Sequence, residues 1–80
     1  MSRNIKVEFT IEPFVDGNVP AYVQAAVEAL RARGIEPELG PFGTLFIADS
    51  PEVGAAVGAV VDAAYSNGAT YVSIESGPAE

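Results

Sequence analysis

Between Ile5 and Ile11 apolar and polar residues alternate without a break. Ile5, Val7, Phe9 and Ile11 fall on one side, and Lys6, Glu8, Thr10 and Glu12 on the other. A period of two, carried by β-branched and aromatic residues, predicts a half-buried strand over Ile5–Pro13, with Pro13 as its stop. The period then changes. Val23, Ala26, Val27 and Leu30 recur at helical spacing on an alanine-rich backbone, which predicts a helix over Pro20–Arg33. Asn18 or Val19 can cap its start and Pro20 suits its first turn, while Arg31, Arg33 and Gly34 mark its end.

The second half repeats this scheme in mirror order. Glu36–Gly40 is short, charged and proline-containing, the marks of an edge strand. Gly40-Pro41-Phe42-Gly43-Thr44 reads as a turn, because glycine accepts positive φ and proline fixes its own. Gly43–Ala48 follows as a strand, in which Leu45 and Ile47 oppose Thr44, Phe46 and Ala48. Asp49-Ser50-Pro51-Glu52 is a helix start, with a capping hydroxyl, a proline and an acid in the first turn. Val53, Ala56, Val57, Val60, Val61 and Ala64 make the apolar stripe of a helix over Pro51–Asn67. Thr70–Glu75 is the last strand, with Val72 and Ile74 on one face and Tyr71, Ser73 and Glu75 on the other.

The order β-α-β-β-α-β with right-handed crossovers gives two interleaved βαβ units. The expected fold is therefore α+β and ferredoxin-like: a four-stranded antiparallel sheet with both helices on one face. The odd-numbered residues of the first strand then face the helices. The open face is expected to collect Lys6, Glu8, Thr10, Glu12, Thr44, Phe46, Tyr71, Ser73 and Glu75. A single domain spans residues 1–80, with a core over about 5–75 and a short flexible C-terminal tail.

Charge changes what this face can meet. Four Lys and Arg against eleven Asp and Glu give a net charge of −7 in 80 residues. Such a chain repels phosphate backbones and anionic membrane surfaces, so neither nucleic acid nor membrane is an expected partner. The absence of cysteine and histidine removes the thiolate nucleophile, the usual proton shuttle and the commonest metal ligands. No signal peptide and no apolar run of spanning length stand in the sequence, which predicts a cytoplasmic protein. No cofactor is called for.

The open face carries the most informative candidate chemistry. Carboxylates with Phe46 and Tyr71 among them favour a flat cationic ligand through charge, stacking and cation–π attraction. The plain alternative is an ordinary polar face whose aromatics mark a contact between subunits. Glu8 and Glu12 share that face, but no nucleophile, histidine or metal ligand stands beside them, so an enzyme is not expected. The glycine turn could bring backbone amides and the Thr44 hydroxyl to a ligand, or simply be a hairpin; it lacks the residues of a phosphate loop. Gly54 and Gly58, four apart on the second helix, suggest close helix packing inside the fold or against another subunit.

Three stretches together carry a resemblance. Val7-Glu8-Phe9-Thr10-Ile11-Glu12-Pro13, Tyr22-Val23-Gln24-Ala25-Ala26-Val27-Glu28-Ala29-Leu30 and Phe42-Gly43-Thr44 resemble the thiamin-binding (YkoF-like) family of small ferredoxin-like proteins. The likeness runs from about Val7 to Ile74. It implies a non-enzymatic protein that binds thiamin or its hydroxymethylpyrimidine precursor at or near a subunit junction, assembled as a homo-dimer or homo-tetramer. By the same resemblance Glu8, Thr10, Asn18 and Thr44 occupy positions near the ligand or the junction. The sequence departs from the family pattern at Asn18-Val19-Pro20-Ala21, where serines are usual, and at Ile47, Val61 and Tyr71, where an acid, a histidine and an arginine are frequent. The rival reading is a structural or regulatory homo-oligomeric module without a small ligand.

Overall fold

A computed structural model describes residues 3–15, 17–40 and 43–79. Asp16 of the first loop, and Pro41 and Phe42 in the middle of the central turn, lie outside the described residues. The elements are β1 (Asn4–Glu12), α1 (Ala21–Arg31), β2 (Glu38–Leu39), β3 (Thr44–Asp49), α2 (Ser50–Ser66) and β4 (Tyr71–Pro78). They form a four-stranded sheet in the order β2-β3-β1-β4, and every adjacent pair is antiparallel. This is the ferredoxin-like α+β arrangement expected from the element order.

The alternation in β1 sets the layers. Val7, Phe9 and Ile11 are buried, while the residues between them are exposed. They meet Tyr22, Ala26 and Leu30 of α1 and Ala56, Val60 and Ala64 of α2. Three of these helical positions are alanines with no exposed surface, Ala26, Ala56 and Ala64. A methyl at the contact lets a helix backbone come close to the sheet and to its neighbouring helix. From β4, Val72 and Ile74 pack at the margin of this core.

The face assigned to β3 requires correction. Directly opposed residues of an antiparallel pair share a face, and the register sets Phe46 against Val7 and Thr44 against Phe9. Phe46 is therefore on the helix side, 2% exposed, its ring tilted 59° to that of Phe9 at a centroid distance of 6.2 Å. Thr44 is buried beside it, and Ala48 likewise. Leu45 and Ile47 take the open face in their place, Ile47 being 51% exposed. The physical reason is that pairing with β1 decides the phase. Within the run Thr44–Ala48 either parity is plausible, and the larger ring goes where the neighbours are apolar.

Other local expectations shift for similar reasons. The strand β2 shrinks to two residues, and β4 continues past Glu75 to Pro78, so the last segment before the terminus is paired rather than a tail. Neither helix is capped by a side chain: Pro20 and Asp49 hold the N-cap positions, and the Ser50 hydroxyl instead accepts from the Arg3 N–H. Gly34 and Gly68 do end their helices at positive φ. Gly40 and Gly43 do not have positive φ; Gly40 N–H donates to the Gly43 carbonyl at 2.8 Å. A Cβ placed on Gly54 or Gly58 would meet nothing within 4 Å, so close packing inside the fold does not explain them.

Candidate functional site

Pairing between β1 and β3 stops at Phe9 opposite Thr44, whereas β1 stays paired with β4 as far as Glu12 opposite Tyr71. The end of β1 therefore projects past β3 and leaves a notch at this end of the sheet. The β1–α1 loop folds over one side of the notch and the β2–β3 turn bounds the other. The result is a cavity of about 330 Å³ lined by Phe9, Thr10, Ile11, Pro13, Phe14, Val15, Gly17, Asn18, Val19, Pro20, Val23, Leu39, Gly40, Gly43 and Thr44.

Each wall has a local cause. Tyr22, buried in the first turn of α1, donates its hydroxyl hydrogen to the Pro13 carbonyl and so ties the loop to the helix. Gln24 Nε2 donates to the Val19 carbonyl at 2.9 Å and holds the other end of the loop. At the turn, a Cβ on Gly43 would lie 3.1 Å from the Phe9 carbonyl oxygen and 3.2 Å from Thr10 Cγ2. A glycine lets the turn come this close to β1 without a crowded contact.

The lining is apolar apart from Thr10, Asn18, Thr44 and backbone groups. None of its described residues is ionisable. Phe14, Val15, Val19 and Leu39, large apolar side chains that are 45–68% exposed, gather around it. Ligand sites are typically apolar concavities of roughly 300–1,000 Å³ with a few placed polar groups, and this cavity matches that description at the small end. It suits a compact, flat, uncharged group held by stacking and by hydroxyl, amide and backbone hydrogen bonds.

The open sheet face is a separate place. Its rows run across the strands: Glu38, Leu45, Glu8 and Glu75 in one, Ile47, Lys6 and Gly77 in the next. Glu8 directly opposes Glu75, a like-charge pair that disfavours the sheet unless a cation lies near. A shallow depression of about 320 Å³ there is lined by Lys6, Glu8, Glu75, Ser76, Gly77 and Pro78. Tyr71, 57% exposed, stands opposite Glu12 on the same face, at the opposite end of β4 from Gly77 and Pro78.

The six residues singled out from the sequence thus separate. Thr10, Asn18 and Thr44 come together in the notch; Glu8 and Tyr71 lie on the open face; Phe46 is in the core and reaches neither. Sequence reasoning missed Phe14, Val15, Val19, Val23 and Leu39. The available signal was the apolar content of the loop from Pro13 to Pro20, where large hydrophobic residues have no strand or helix period to satisfy. Among the described residues no group of three or more acidic residues converges as a metal site, and no helix is long and apolar enough to cross a membrane.

Comparison with known proteins adds fold and family. The domain of unknown function DUF77 from Bacillus cereus superposes with a TM-score of 0.68 at 21% identity, covering 95% of this chain and 74% of that one. A protein from Streptococcus pneumoniae gives 0.75 at 14% identity, with 96% and 88% covered. A hypothetical protein from Methanocaldococcus jannascii gives 0.62 at 25% identity, with 98% and 80% covered. No curated protein matches the chain. These likenesses establish the ferredoxin-like fold, and membership is settled by sequence: the model of the thiamine-binding protein family matches residues 7–75, nearly all of the strands and helices described above, and the chain belongs to that family.

Proposed function

We propose that this protein is a non-enzymatic small-molecule-binding protein, that its site is the notch between the β1–α1 loop and the β2–β3 turn, and that its ligand is thiamin or the hydroxymethylpyrimidine precursor of thiamin. The observation that carries the reading is an apolar cavity, without an ionisable group among its described lining residues, into which Thr10, Asn18 and Thr44 bring polar groups. Family membership supports a small-molecule ligand. An aminopyrimidine is flat, uncharged near neutral pH and rich in donors and acceptors, which is what such a lining can read. The thiazolium of thiamin would remain at the mouth, in the field of a chain of net charge −7. Phosphate esters gain nothing from that field.

Calorimetry with hydroxymethylpyrimidine, thiamin and thiamin diphosphate tests this. Hydroxymethylpyrimidine and thiamin bind, the diphosphate binds more weakly, and Thr44→Val and Asn18→Ala each lower affinity by about 5- to 20-fold for one lost hydrogen bond. Glu8→Gln, set between Leu45 and Glu75 away from the notch, leaves hydroxymethylpyrimidine binding unchanged. If Glu8→Gln and Tyr71→Ala abolish binding while Thr44→Val does not, the ligand sits on the open face instead. If none of the three compounds binds, the small-ligand reading fails and the structural or regulatory module takes its place.

A further inference from the structure

We propose that the notch reads its ligand through the backbone of β1: the Ile11 N–H donates to a ring nitrogen, and the Ile11 carbonyl accepts from an amino group on the adjacent ring carbon. The ligand class is then the amino-azines, flat rings that carry an acceptor and a donor side by side on one edge. The inference rests on the site proposed above and names how that site recognises its ligand.

Ladder geometry decides where each peptide group of β1 points, because bonding and non-bonding pairs alternate along an antiparallel ladder. Ser50 N–H donates to the Arg3 carbonyl at 2.7 Å, on the register that continues from Asn4 opposite Asp49. The peptide groups of Ile5, Val7, Phe9 and Ile11 therefore face the β3 side. On the other side Ala79 N–H donates to the Asn4 carbonyl at 3.0 Å, which directs those of Lys6, Glu8, Thr10 and Glu12 to β4. Two independent bonds give the same phase. Pairing with the described residues of β3 ends at Phe9 opposite Thr44, so Ile11 is turned to that side past the last pair.

The groups around Ile11 have partners. The Glu12 carbonyl accepts from the Thr70 N–H at 2.7 Å and from the Thr70 hydroxyl at 3.1 Å. The Pro13 carbonyl accepts from the Tyr22 hydroxyl, and the Gly43 carbonyl from the Gly40 N–H. The Ile11 N–H and carbonyl bond to no described residue, although Ile11 is 8% exposed. Buried backbone groups are nearly always paired, and leaving one unmet is costly. Ile11 lines the cavity, where a ligand can meet both groups. An extended residue offers its N–H and carbonyl side by side, and an amino-azine presents the complementary pair in the plane of its ring. The ring then lies in the plane of the sheet, as an added strand would, with Val23 toward one face and Thr10 toward the other. Hydroxymethylpyrimidine has such an edge, a ring nitrogen next to the amino-bearing carbon.

NMR titration of the isotope-labelled chain tests the proposal, with three probes: hydroxymethylpyrimidine, its oxo counterpart in which a ring carbonyl replaces the amino group, and cytosine. Hydroxymethylpyrimidine shifts the Ile11 amide downfield and slows its exchange. The oxo counterpart keeps the shape but reverses donor and acceptor, and it binds at least about tenfold more weakly. If hydroxymethylpyrimidine fails to bind while cytosine still moves the Ile11 amide, the backbone edge stands and the thiamin reading falls. If hydroxymethylpyrimidine binds and Thr44→Val weakens it, but the Ile11 amide stays unmoved or the oxo counterpart binds equally well, the site stands and this inference is overturned. An Ile11 amide that neither hydroxymethylpyrimidine nor cytosine moves overturns it as well.

Discussion

A methyl group added at Gly43 would stand 3.1 Å from the Phe9 carbonyl oxygen, and backbone there cannot move aside without breaking the β1–β3 ladder. Gly43→Ala is expected to cost about 1–3 kcal/mol, the usual penalty for overfilling a packed site, and to weaken ligand binding by pushing the turn out of the notch. Gly54 and Gly58 are the opposite case: both are helical and nothing lies near a Cβ on either. Alanine at each should stabilise the chain by about 0.5–1 kcal/mol. Urea denaturation of the three variants checks both signs at once. The Arg31–Glu36 pair is a further residue-scale device, bidentate, with its shortest contact 2.8 Å. The hydrogen bond from Arg31 holds the Glu36 carboxyl below its usual range, and the same bond raises the Arg31 guanidinium above its own. A lowered carboxyl contributes stability above its unfolded value, and that stability is lost as pH falls through the folded value. The raised arginine contributes at every accessible pH. Both groups are exposed, so solvent screens the pair: Glu36→Gln should flatten the acid limb of the stability curve slightly, at low salt only. A carboxyl titration followed by NMR reads the direction directly.

At the scale of elements, β3 is the informative one. Its alternation is clear, yet its phase is set by β1 through the Val7–Phe46 and Phe9–Thr44 pairings. Phe46→Ala therefore removes a ring from the centre of the core and should cost about 3–5 kcal/mol. Ile47→Thr, one residue on and half exposed, should change stability by less than about 0.5 kcal/mol, because its side chain stands on the open face. Thermal or urea unfolding decides the order, and the reverse ranking would place Phe46 outside. The helices contribute differently. α1 has a strong apolar stripe with polar residues opposite, so its face was legible, whereas α2 is apolar around most of its circumference and only packing chose Ala56, Val60 and Ala64 as the buried line.

For the molecule as a whole, the electrostatics and the small core act together. A domain of this length buries only about 60–65% of its unfolded surface, which leaves it marginal alone. Two copies each of charge −7 repel at long range, so any self-association should strengthen as ionic strength rises and the repulsion is screened. Light scattering across a salt series checks the direction. Binding in the notch should respond little to salt if the ligand is the uncharged hydroxymethylpyrimidine. A thiamin cation held by the field of the chain should bind less tightly as salt is added.

The sequence by itself determined the elements, their order and the fold, because the period of apolar residues changes from two to helical spacing and back within a chain too short for other topologies. It also determined the inward face of β1, α1 and β4, whereas Thr10, Asn18 and Thr44 are brought to one cavity only by the fold. The tertiary structure decided the rest. Only strand pairing could put Phe46 inside and Ile47 outside, since a five-residue run of mostly apolar residues is compatible with either phase. Only the unequal lengths of the β1–β3 and β1–β4 ladders could open a notch at one end of the sheet, and so turn a loop of scattered apolar residues into the wall of a site. Glu8 shares the open face with Thr10, but β3 still flanks β1 at Glu8 and no longer does at Thr10, so the notch opens beside Thr10 alone, and Tyr71 lies across β1 on β4.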